Sequence, residues 1–313
     1  MAIGQQKVLV FASGDPGEHY YYQWSPKRPK GWLHIMHGMA EHSARYADLA
    51  EFLNQQGIMV TAGDHRGHGL TGTAADSLYH FADHNGWNQM VDDQWQLIDS
   101  VANESDLPLV ILGHSMGSFM ATHCCQRYTK QLTDRRLKGL ILSGSNYDSP
   151  SVFKVVAGLA KIERLRVGRR SISNLLEALS FGAFNRAFTP NRTEKDWLSR
   201  DHEQVDTYIS DPMCGGAITT QSWFDFLSGL AHLFTSKALA TIDSELPIYL
   251  FAGELDPVGR QGKGVKKLKQ ALQQAGVQNI ELKLYTNGRH EMINETNRNE
   301  VYADILKWLM ARF

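Results

Sequence analysis

Gly113-His114-Ser115-Met116-Gly117 places a serine hydroxyl in a Gly-x-Ser-x-Gly pentapeptide directly after the apolar run Val110-Ile111-Leu112. A run this short, β-branched and continuously apolar predicts a strand buried on both faces, and the residues after it read as a helix. A sharp turn at Ser115 between the two would leave its Oγ exposed at the strand's C-terminal end. Gly113 and Gly117 leave room for strand and helix to meet that closely. A serine hydroxyl is a weak nucleophile until a base takes its proton and a third group orients the base. The pentapeptide alone therefore says little, and its partners must be found elsewhere in the chain.

His290 is the best base. It lies in Asn287-Gly288-Arg289-His290-Glu291, between the last expected strand and the last helix. The chain has 13 histidines, so position decides. His202 and His232 fall in a stretch without strands, His123 lies in the helix after Ser115, and the others precede the nucleophile. The orienting acid should follow the preceding strand, where Gly253-Glu254-Leu255-Asp256-Pro257 offers two carboxylates. Asp256 is preferred, because Pro257 holds it in an extended or turn conformation, and Glu254 is the alternative. Serine, acid and histidine then follow one another in the chain, each at the end of a strand. The oxyanion of a tetrahedral intermediate needs preset donors. The backbone N–H of Met116, at a helix start, is one; that of Met39, in the loop after Trp32–Met36, is the expected second.

The elements that must hold these groups alternate. Lys7–Ser13 and Glu18–Trp24 read as a hairpin around Gly14-Asp15-Pro16-Gly17. Strands follow at Trp32–Met36, Ile58–Ala62, Leu137–Ser143, Ile248–Ala252 and Ile280–Tyr285. Helices are expected at Arg45–Gln56, Gly117–Gln131, Val265–Ala275 and Glu300–Arg312, with a long loop from Gly69 to about Gly86. A further helix carries Val91, Trp95, Ile98 and Ala102 as an apolar stripe. Such alternation means an α/β fold with a mostly parallel sheet covered on both faces. It stops between Tyr147 and Leu246, where the pattern is helical. The expected organisation is a core of residues 1–146 and 247–313, interrupted by a helical cap over residues 147–246. The cap's aromatic residues, among them Phe153, Phe181, Phe184, Trp223 and Phe234, are read chiefly as its own core.

A net charge of −1 argues against general nucleic-acid binding, which usually needs a strongly basic chain. Three cysteines, two of them adjacent, make no disulfide framework and suit a reducing compartment. The first residues show no secretory pattern, Ala2 excludes myristoylation, and no apolar run approaches the length of a membrane span. The expectation is a cytoplasmic chain. His37, His42, His65 and His68 are close in sequence, but no cysteine or carboxylate completes a familiar ligand pattern, so no metal is expected. Asp64 and Arg66 are read as braces for their loop. Lys154, Lys161, Arg164, Arg166, Arg169 and Arg170 are interleaved with Leu159, Leu165 and Val167. That mixture is either a solvated helix face or a peripheral docking surface for anionic lipid.

Taken together, several stretches resemble the α/β-hydrolase superfamily, and within it the monoacylglycerol lipase and lysophospholipase group. They are His37-Gly38-Met39-Ala40-Glu41-His42, Asp64-His65-Arg66-Gly67-His68-Gly69, Gly113-His114-Ser115-Met116-Gly117, Asp256-Pro257 and Gly288-Arg289-His290-Glu291. Asp211-Pro212 matches a short motif of the same group. The resemblance implies an eight-stranded sheet and a Ser115–Asp256–His290 triad. It implies oxyanion amides from Met39 and Met116, no metal or organic cofactor, and hydrolysis of single-chain acyl esters such as monoacylglycerols and lysophospholipids. Peptidases and acyltransferases share the scaffold and remain alternatives, as does a non-catalytic lipid-binding role.

Overall fold

The computed structural model describes residues 4–11 and 17–313. The expected hairpin turn at Gly14-Asp15-Pro16 lies outside those residues. In chain order the structure runs β1 (Gln5–Phe11), β2 (Gly17–Trp24), β3 (Gly31–Met36), α1 (Ala47–Gln55), β4 (Ile58–Gly63), α2 (Gly69–Ala74), α3 (Gly86–Asn103) and β5 (Leu109–His114). It continues with α4 (Met116–Arg127), α5 (Thr129–Asp134), β6 (Leu137–Ser143), α6 (Pro150–Val167), α7 (Asn174–Leu179), α8 (Phe181–Asn185), α9 (His202–Ser210), α10 (Thr220–Leu233) and α11 (Ser236–Leu239). The last elements are β7 (Ile248–Gly253), α12 (Lys263–Gln274), β8 (Ile280–Tyr285) and α13 (Arg298–Met310).

The strands form one eight-stranded sheet in the order β1-β2-β4-β3-β5-β6-β7-β8. From β4 to β8 every neighbouring pair is parallel, whereas β2 runs antiparallel to both β1 and β4. Side-chain alternation splits the central strands between two cores. Trp32, Met36, Leu109, Ile111, Leu140 and Leu142 pack on the face covered by α3, α4 and α12. Leu33, Ile35, Val110, Leu112, Ile141 and Phe251 pack on the opposite face, against α1 and α13. Both faces being dry explains why these strands read as unbroken apolar runs.

Three local readings change. The expected loop after Gly69 contains α2, whose Gly-rich sequence hides a helix from periodicity. The helix expected over Gly117–Gln131 breaks at Tyr128 into α4 and α5. On α3 the buried face is centred on Met90, Val91, Gln94, Leu97, Ile98 and Val101, and Trp95 and Ala102 lie at its margin. Trp95 stacks there on Tyr128, with ring centroids 4.9 Å apart.

Between β6 and β7 the described residues form helices and no strand. Pro150 sits at the start of α6, while Asp201 and Thr219 cap α9 and α10 through side-chain oxygens. Ala157 and Ala160 of α6 share a core cluster with Trp223, Phe226, Leu227 and Leu230 of α10. Leu175 and Leu179 of α7 are exposed, together with Val155, Ile162, Leu165 and Ile172.

Candidate active site

Ser115 alone separates β5 from α4, and its backbone takes φ 51°, ψ −119°. A non-glycine residue at positive φ stores about 1–3 kcal/mol and persists only when its surroundings impose it. Here they do. Ser115 N–H donates to Ser143 O (2.9 Å), while Ser115 O accepts from Ser118 N–H (2.9 Å) and Ser118 Oγ (2.6 Å). Gly117 is required by the same turn, because a Cβ there would collide with the carbonyl oxygens of Met36 and His37. The turn lifts Ser115 off the strand end, half-buried.

Asp256 and His290 meet. His290 Nδ1–H donates to Asp256 Oδ1 (3.0 Å), which also accepts the Val258 N–H (2.9 Å). Both side chains are buried, whereas Glu254, the alternative acid, is exposed. The His290 ring lies 4.8 Å from that of His114, the residue preceding Ser115. Burial opposes the imidazolium, but Asp256, Glu291 and Glu41 favour it, and the pKa of His290 ends above 6.5. His114 is held by burial at about 4, so it stays neutral beside its neighbour. His123 is buried elsewhere as the acceptor for Trp87 Nε1–H, and His202 and His232 are exposed.

The loop carrying Met39 lies against the serine, since a Cβ on Gly38 would come 3.3 Å from Ser115 Cβ. Met116 is the first residue of α4, where the helix leaves its N–H without an intrahelical acceptor. A buried ionic network, not anticipated from the sequence, fixes the Met39 loop. Glu41 Oε1 accepts the Gly38 N–H (2.5 Å) and the Tyr46 hydroxyl (2.9 Å). Arg45 then bridges Glu41 (2.6 Å) and, with two nitrogens, Glu291 (2.8 and 2.7 Å). Burial would raise the Glu291 pKa, but the Arg45 guanidinium holds it at about 2. The only sequence signal for this network was that Glu291 adjoins His290 and that Arg45 stands one helical turn beyond Glu41.

The clustered histidines brace the same loop. His65 N–H donates to His37 Nε2 (3.0 Å), and His37 Nδ1–H donates to Gly38 O (2.7 Å). Burial, and after it repulsion from neighbouring histidines, chiefly His65 and His68 for His37 and His68 for His65, push the pKa values of His37 and His65 well below 6.5. Asp64 accepts from Ser43 N–H (2.9 Å) and Leu70 N–H (2.7 Å), and Arg66 pairs with Asp93, the bracing roles expected of them. His42 is drawn away to Asp211, with Nε2–H donating to Oδ2 (2.8 Å). The ligand atoms of His42, Asp211 and Cys214 lie within 4.8 Å of one another, a grouping in which that hydrogen bond already occupies the histidine and the carboxylate. Gly215 N–H and Tyr208 Oη–H both donate to Ala40 O (2.9 Å each), tying the segment between β6 and β7 to this loop.

Residues 27–297 match the family described as Hydrolase_4: Serine aminopeptidase, S33. The chain is 27% identical to a monoacylglycerol lipase of Mycolicibacterium smegmatis over 93% of its own length and 92% of the relative's. It is 28% identical to human monoglyceride lipase, covering 99% of this chain and 93% of that one. Among solved structures, a carboxyl esterase from Bacillus coagulans in complex with glycerol superposes with a TM-score of 0.88 at 26% identity, covering 98% of both chains.

Proposed function

The chain belongs to the Hydrolase_4 family of α/β hydrolases, and from that premise we propose that it is a serine ester hydrolase of single-chain acyl lipids, monoacylglycerol or lysophospholipid. The observation that carries the reading is the buried His290–Asp256 pair, whose imidazole lies 4.8 Å from the ring of His114, the residue before a serine held at positive φ between strand and helix. In the proposed reaction His290 takes the Ser115 proton as Oγ attacks the ester carbonyl. The backbone N–H groups of Met39 and Met116 receive the oxyanion, and Asp256 keeps Nδ1 protonated and the ring oriented. His290 then protonates the leaving alcohol and activates a water that releases the fatty acid from the acyl-enzyme. These groups supply nucleophile, base and charge stabilisation together.

Residues 147–246 act in this reading as a cap over the site. Its substrate would come from a lipid surface, and the cap has a face suited to that. Val155, Ile162 and Leu165 form an exposed apolar ridge on α6, with Lys154, Lys161 and Arg166 exposed beside it. No helix among the described residues is long and apolar enough to cross a membrane, so contact would be peripheral.

The family description names an aminopeptidase, and the same acyl-enzyme could form from an amide or be resolved by another acceptor. A panel of monoacylglycerols, lysophospholipids and aminoacyl anilides, assayed with wild type and Ser115→Ala, decides among these. Single-chain esters should be the preferred substrates, and Ser115→Ala should lower kcat by about 10⁶-fold, as in an analogous triad. Ester hydrolysis surviving in that variant, or failure of a fluorophosphonate to label Ser115, refutes the proposal.

A further inference from the structure

Residues 196–200 belong to the segment between β6 and β7, yet they bond to the loop that carries His290. His290 N–H donates to Trp197 O (3.3 Å) and Glu291 N–H to Leu198 O (2.7 Å). Ser199 Oγ donates to Asn294 O (2.9 Å). Arg200 reaches the buried Glu295 through its backbone N–H (3.1 Å) and Nε–H (2.9 Å). From the other side, Arg289 Nη1 donates to Ser199 O (3.1 Å) and to Asp196 O. The result is a strap laid along residues 289–295.

On that strap the Trp197 indole faces the His290 imidazole, with ring centroids 5.0 Å apart and planes 35° from parallel. Trp197 is only 4% exposed. Its Nε1–H has no acceptor among the described residues, so no hydrogen bond of its own holds the indole. Packing against Phe184 (5.2 Å) and Phe181 (6.0 Å) does so instead.

We propose that Trp197 is a positioning residue for His290, and that the strap makes the base's orientation depend on the seating of the segment between β6 and β7. The inference rests on reading His290 as the general base. One hydrogen bond, Nδ1–H to Asp256, fixes a single point of the imidazole, and the ring's orientation about that point depends on the side chains packed against it, His114 and Trp197. A flat side chain against the ring restricts that orientation, and the strap's backbone bonds fix the main chain behind it. The indole also keeps water from the imidazole, which strengthens the bond to Asp256 in a low-dielectric setting. Because Nε1–H is unpaired, a phenyl ring should serve in its place, whereas a methyl group should not.

The test compares Trp197→Phe, Trp197→Ala and Ser199→Ala with wild type. Each is assayed for kcat and KM, for melting temperature, and for the downfield proton NMR signal of the hydrogen shared by His290 and Asp256. Trp197→Ala should lower kcat by about 10²-fold, the loss typical of a reacting group displaced by about an ångström, with KM little changed. Its downfield signal should broaden or vanish, and Trp197→Phe should restore both. Ser199→Ala removes one strap bond, and with it the Oγ that accepts the Asp201 N–H (3.0 Å), without opening the aromatic core, so it should show a smaller loss in the same direction even if Trp197→Ala fails to fold. A lower melting temperature with the signal and kcat intact would make Trp197 a core residue only and overturn the proposal. The base assignment is checked separately: a His290→Ala variant retaining wild-type kcat would refute it.

Discussion

Burial and carboxylates pull the His290 imidazole in opposite directions, and the carboxylates win. Burial destabilises the imidazolium, yet Asp256 at hydrogen-bond distance, with Glu291 and Glu41 farther off, lifts the pKa above 6.5. In the proposed mechanism only the neutral ring can take the Ser115 proton, so kcat/KM should fall as pH drops through that raised value. Glu291 contributes negative charge to this balance, and Glu291→Gln removes it while leaving Arg45 less compensated. Both changes disfavour the imidazolium. The acid limb of kcat/KM in Glu291→Gln should therefore move to lower pH, as a pH–rate profile with a soluble ester would show. An unmoved limb would mean that Glu291 does not sense the base.

At the scale of elements, the junction of β5 with α4 and the exposed side of α6 do different work. The junction is held by the Ser115 N–H bond to Ser143 O and by the Ser118 bonds to Ser115 O, and in the proposed mechanism it fixes where chemistry occurs. The exposed side of α6 carries Val155, Ile162 and Leu165 into solvent, with Lys154 and Lys161 beside them. Arg166 on α6 and Arg170 just beyond its end are already paired, with Glu163 and Asp83. If α6 docks on anionic lipid, the two lysines supply most of the free charge on this ridge. Each basic group near such a surface is worth about 1 kcal/mol, so Lys154→Ala with Lys161→Ala should weaken binding to phosphatidylserine vesicles by about 30-fold. Vesicle sedimentation measures this, and added salt should weaken wild-type binding as well. Equal binding to neutral and anionic vesicles would reduce this face to a solvated surface.

Across the whole molecule, Arg45 joins parts of the chain that lie far apart in sequence. It links Glu41, beside the Met39 loop, to Glu291, beside the base. Removing it leaves two buried carboxylates without their cation, so Arg45→Ala should cost about 3–5 kcal/mol in urea unfolding. A loss under about 1 kcal/mol would show that the carboxylates are relieved by protonation or water. The alternation of strands and helices was legible in the sequence, because two-sided burial demands continuous apolar strands and one-sided burial demands striped helices. Ser115, His290, Met39, Met116 and an acid at Asp256 or Glu254 could be named as candidates because strand ends project their following residues to one edge of a parallel sheet. By contrast, α2 escaped notice because its glycines and threonines carry no apolar stripe. The sequence by itself thus determined the sheet, its flanking helices and the residue types presented at its edge, since these follow from local periodicity and chain order. Only the tertiary structure decided that Asp256 rather than Glu254 meets His290, that Arg45 bridges Glu41 and Glu291, and that Trp197 lies over the imidazole. Apart from Arg45 and Glu41, four positions apart, those contacts join residues 34 to 246 positions apart, and no local pattern records which distant side chains will share a buried space.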